Sequence, residues 1–216
     1  MIRRLVPATA ILLVLIPGVV LGQKTGVAVT PFFGLTVPGK LLLLRPGLDP
    51  AVQAEKQAVL GLIGGRINVG LTPSLEFQGD LGYGSSGLKV ASLAAPSGTI
   101  ASVLTMSGEL VYRNKPAVEP FSLTLHGGVG AVHRSFSENT GSMTSLRAKT
   151  NIGAVLGAGF NFRATRRTAV VVGIDDFIYN ASFNLGTGTQ TAGTTQPLTQ
   201  NDVRVTLGFR VAIAGQ

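Results

Sequence analysis

His133-Arg134-Ser135 sets a base and a hydroxyl nucleophile two residues apart. On a strand, alternate residues share a face. His133 as base and Ser135 as nucleophile would therefore lie side by side, with Glu138 in the following segment to orient the imidazole. The plainer reading is a histidine at the edge of a loop. His126 has no second histidine or cysteine at ligand spacing, so it reads as a member of a polar network and not as a metal ligand. Asp175-Asp176 offers a cation site at a rim, or more simply a β-bulge with solvated acids. The other charges that recur at alternate positions are Arg66, Glu76, Asp80, Glu109, Arg113, Arg163, Arg204 and Arg210. Phosphate loops, dinucleotide fingerprints and nucleic-acid motifs are absent, and no cofactor or metal is expected.

What these charges do depends on the elements that carry them. From Asn201 to Ile213, Val203, Val205, Leu207, Phe209, Val211 and Ile213 alternate with Asp202, Arg204, Thr206, Gly208, Arg210 and Ala212. The same two-residue period predicts seven further strands: Thr25 to Thr36, Ile63 to Leu71, Leu75 to Tyr83, Leu104 to Arg113, Phe121 to Val132, Asn151 to Arg163, and one starting near Val170 whose phase breaks at Asp175-Asp176. The connection from Val37 to Leu60 reads equally as a loop with a short helix or as a strand extension. Connections alternate long and short: 37–60, 84–102, 134–149 and 185–200 are long, and the turns after Leu71, Arg113 and Arg163 are short. The predicted strands exceed the usual five or six residues and match the roughly 9 to 11 needed to cross a bilayer at a tilt. All long connections then emerge on one side, the asymmetry of a transmembrane barrel. A soluble eight-stranded cup has no need of that asymmetry, and its outer face would carry lysines that these strands lack.

Composition agrees. The 216 residues include 29 Gly, no Cys and no Trp, and only 13% are charged, against about a quarter in soluble globules. Met1 to Gly22 has a basic start, an apolar stretch and small residues before Gln23, which predicts a cleaved secretory signal peptide ahead of one domain over 23–216. Its removal takes Arg3 and Arg4 and leaves 16 basic and 10 acidic residues. That surplus is too diffuse for nucleic acid.

With its strand pattern, one-sided loops and final strand, the chain resembles the small eight-stranded outer-membrane β-barrels of Gram-negative envelopes, the group of the OmpA transmembrane domain and OmpX. The resemblance implies an all-β, antiparallel, up-and-down transmembrane barrel in the cell outer membrane, monomeric and surrounded by outer-membrane lipid. Thr206, Gly208, Val211 and Ile213 resemble the C-terminal targeting signal of that group, which implies the barrel assembly machinery as a partner. Eight strands leave an interior that side chains can fill. The inward Arg66, Glu76, Asp80, Glu109, Arg113, His126, Arg163, Arg204 and Arg210 are therefore expected to plug the lumen as an ion-pair network. The expected function is structural or adhesive, through long loops that bind an unknown extracellular ligand. The alternatives are a narrow ion or small-solute channel, and a lipid A-modifying enzyme. The last rests on His133 and Ser135, whose spacing resembles the His-x-Ser pair of an outer-membrane deacylase family.

Overall fold

The computed structural model describes residues 26–39, 43–44, 54–90, 96–114, 120–137, 148–181 and 198–214. The expected signal peptide, 1–22, lies outside them. The strands are β1 (Val27–Pro38), β2 (Leu43–Leu44), β3 (Ala54–Gln57), β4 (Leu60–Gly70), β5 (Leu75–Val90), β6 (Pro96–Arg113), β7 (Phe121–Ser137), β8 (Lys149–Arg163), β9 (Thr168–Ala181) and β10 (Leu198–Ala214). Eight of them close into an antiparallel barrel: β4 to β10 pair in chain order, and β1 joins β4 to β10. The strand ends at Gly70 and Leu75, Arg113 and Phe121, and Arg163 and Thr168 share one end of the barrel with the start of β1 and the end of β10.

Pro31 leaves a mark on the seam. It pairs with Gly65 of β4, but the β1–β10 ladder omits Thr30 and Pro31, because proline has no N–H to donate. The undecided stretch 37–60 contains β2 and β3, and β3 lies along the far end of β5 in line with β4, which favours the strand extension. The bulge expected at Asp175-Asp176 does not form. β9 keeps unbroken register with both neighbours there, pairing Asp175 with Arg204 and Asp176 with Val203. Beyond that point the apolar residues, Phe177 and Tyr179, simply face inward.

Over the lower barrel the outward positions are apolar and exposed, among them Ile63, Leu81, Leu110, Val129, Leu156, Ile174 and Ile213. On β5 this outward face runs from Leu75 to Tyr83, the length that spans a bilayer at a tilt. The strands continue further, and there the pattern inverts. Ser85, Ser102, Ser135, Asn180 and Thr199 take outward positions, with Val59, Ile100 and Ile178 among the apolar exceptions, while Leu60, Leu62, Ala101, Val103, Val132, Val155, Phe177, Tyr179 and Ala181 form a buried cluster inside with Phe32. The upper barrel is therefore polar outside, with an apolar cluster inside beside the buried Arg134, Asp202 and Gln57. Segments read as loops, 84–90, 96–102 and 134–137, belong to strands for this reason.

Candidate functional site

The lumen holds its charges in three tiers. The central tier begins with two cross-strand pairs, Arg66 with Asp80 and Arg204 with Asp175, which register sets opposite one another. Each arginine also reaches the other pair's acid. Arg204 donates from Nε to Asp175 Oδ2 (2.9 Å) and from Nη1 and Nη2 to the two oxygens of Asp80 (2.7 and 2.9 Å). Arg66 donates from Nε to Asp80 Oδ2 (2.8 Å) and from Nη2 to Asp175 Oδ2 (2.9 Å). Charge-assisted, forked contacts of this kind are the strong class of hydrogen bond. The ring of Phe32 lies under both guanidiniums, at 4.8 and 5.3 Å, and Phe177 faces Arg204 at 4.9 Å.

His126 extends the tier: its Nε2 lies 2.6 Å from Asp175 Oδ1 and 3.6 Å from Glu109 Oε2. It crosses over Gly157, which stands directly between His126 and Asp175 in the register; a Cβ on Gly157 would overlap the imidazole Nε2. Glu109 also accepts from Ser107 and from Gln78, which in turn accepts from Asn68 at 3.0 Å. The ligand-type atoms of Glu109, His126 and Asp175 lie within 4.8 Å of one another. A cation there would meet carboxylates already engaged by donors, beside two guanidiniums, so the trio suits a proton-sharing network better than a metal.

At the turn end, Glu76 receives Arg210 through two bonds (3.0 and 2.9 Å) and Arg113 at 2.8 Å. At the opposite end, Arg134 bonds Asp202 and Tyr179, and its Nε donates to Gln57 (3.1 Å). The Tyr179 hydroxyl donates to Asp202 Oδ2 at 2.7 Å.

Eight of the nine residues read as lumen charges thus converge. Arg163 does not. It sits half-buried at the turn after β8 and donates to the carbonyls of Thr165 and Arg166 (2.9 and 3.4 Å), because its position is the last of the strand. Sequence reasoning missed Arg134, Asp202, Tyr179 and Gln57, and took Asp175 for a rim acid. The available signal was the period-two alternation continuing past the expected strand ends with its apolar side reversed. His133 and Ser135 share the outward face of β7, and His133 Nδ1 lies 2.8 Å from Thr150 Oγ1; Glu138 lies outside the described residues. Of the targeting residues, Thr206 and Gly208 are buried and Ile213 is exposed.

No protein-family model matches the chain, and no curated protein matches it either. Solved structures do. The outer membrane protein AlkL in lipid bilayers is 15% identical, with a TM-score of 0.64, over 92% of this chain and 95% of its own. OprG from Pseudomonas aeruginosa is 14% identical, with a TM-score of 0.58, over 89% of this chain and 98% of its own. A major outer membrane protein from Thermus thermophilus is 12% identical, with a TM-score of 0.53, over 88% of this chain and 99% of its own. The fold shared with them is that of the small outer-membrane β-barrels, and the exposed apolar belt is the surface such a barrel turns to lipid.

Proposed function

We propose that this protein is a sealed outer-membrane barrel that acts at the cell surface, offering the polar upper strands and the segments joining them to an extracellular ligand, without catalysis. The central tier carries this reading. Arg204 and Asp175 are fully buried, and Asp80, Glu109 and Arg66 nearly so, so their charged side chains cross the lumen where a solute path would run. Opening a path would separate desolvated ion pairs, and breaking one such pair costs about 3 to 5 kcal/mol. A non-catalytic role is supported by the partner of His133 Nδ1, which among the described residues is the Thr150 hydroxyl and not the carboxylate that would orient a catalytic imidazole.

The test has two parts. In planar bilayers the purified barrel is expected to stay silent at high protein load, and stepwise currents would replace this reading with that of a narrow channel. Ser135→Ala is expected to leave lipid A acylation unchanged in cells carrying the protein; an altered acyl pattern would establish the enzyme instead.

A further inference from the structure

The three short connections differ in charge. Residues 71–74 carry none, and in 114–120 Lys115 and Glu119 cancel. The connection from β8 to β9 follows Arg163, contains Arg166 and Arg167, and holds no acid. It is tied tightly: the amides of Ala164 and Thr165 donate to the carbonyl of Thr168 (2.9 and 3.1 Å), and the Thr165 hydroxyl accepts from the amides of Arg167 and Thr168 (3.2 and 3.1 Å). Its carbonyls are occupied as well. Arg163 takes those of Thr165 and Arg166, and the amide of Ala212, near the end of β10, donates to that of Arg167 (2.8 Å). The side chains of Arg166 and Arg167 stand exposed on this fixed turn, and among the described residues neither makes an ion pair. Glu76, an acid at the same end, is held by Arg210 and Arg113.

A second observation concerns the wall beside the turn. Phe162 is the last outward residue of β8 and pairs across the sheet with Phe121, the first residue of β7. The ring of Phe121 lies 5.3 Å from that of Phe162 and 5.8 Å from that of Phe160, and all three side chains are exposed. A continuous aromatic surface therefore ends where the basic turn begins. The turn follows the edge of the apolar belt directly, so its arginines stand at the level of the lipid headgroups. A ligand that meets both surfaces at once must be anionic at one end and apolar at the other.

We propose that this corner is a seat for one anionic glycerophospholipid of the leaflet at the turn end, its phosphate against Arg166 and Arg167 and an acyl chain along Phe121, Phe160 and Phe162. Guanidinium matches phosphate in charge and in its forked geometry. Arg163, by bonding the turn carbonyls, positions the turn and removes acceptors that would repel the phosphate. The seat lies at the end of the barrel opposite the surface offered to the extracellular ligand.

Native mass spectrometry tests this, with the purified protein released from micelles that hold phosphatidylglycerol and phosphatidylethanolamine in equal amounts and with the same acyl chains. Preferential retention of one phosphatidylglycerol is the expected result, and equal retention of the two lipids would overturn the proposal. Replacing both arginines, Arg166→Gln with Arg167→Gln, is expected to lower the preference by about thirtyfold once heat-modifiable gel migration shows that the variant is folded. An unchanged preference would place the lipid elsewhere and refute the seat. If the double variant does not fold, the comparison of headgroups on the unaltered protein still decides. Glycerol 3-phosphate, the headgroup chemistry without chains, is expected to leave the bound lipid in place at millimolar concentration; displacement by it would make the turn a site for a soluble anion instead.

Discussion

Arg204 and Arg163 show how far single residues can be read. Both are arginines on the polar side of an alternating strand, and in the sequence nothing separates them. In the barrel, Arg204 lies mid-lumen with two aspartates and two aromatic rings, while Arg163 ends β8 and bonds its own turn. Depth decides their roles, and depth follows from strand ends, the least legible feature of a sequence. Arg204→Met leaves Asp80 and Asp175 short of one partner in a desolvated site and is expected to destabilise the barrel by about 3 to 5 kcal/mol. Arg163→Gln, at the solvated turn, is expected to change stability by less than about 0.5 kcal/mol. Urea unfolding in lipid vesicles, followed by gel mobility, checks the pair, and equal losses would contradict the difference in depth. Asp175 was misplaced for a related reason: with Asp176 beside it, the pair looked like a solvated break, yet one acid faces the lumen and the other faces outward in unbroken register.

At the level of elements, the eight barrel strands and their one-sided turns were legible, because a wall between lipid and water imposes a strict two-residue period. Their upper ends were not. Above Leu104 on β6 and above Asp175 on β9 the apolar residues, Val103, Ala101, Phe177 and Tyr179, lie in the interior, so a search for the same greasy face ends too early. This reversal places the upper edge of the bilayer between the belt and the outward serines. The chain has no tryptophan, so a single introduced indole reports its own depth. Leu156→Trp is expected to be strongly quenched by brominated lipid acyl chains and Ser135→Trp weakly; comparable quenching would mean that the upper strands are immersed.

For the whole molecule, the tiers and the belt describe one sheet set in two solvents. Sealing belongs to this scale, since a current needs the entire lumen to open and the central tier joins strands from around the barrel, β4, β5, β6, β7, β9 and β10. The reversal of polarity also divides the forces that hold the barrel. In the lower part the outward leucines and valines move between two apolar surroundings and gain little from leaving water, so hydrogen-bond ladders and ion pairs carry the stability there. In the upper part Val103, Val132, Val155 and Phe177 are withdrawn from water itself. Burial of that kind brings a large heat-capacity change and weakens on cooling. The heat-capacity change of unfolding in this barrel therefore belongs mainly to the part that stands clear of the membrane, and cold loosens the end facing the surroundings before the end anchored in lipid.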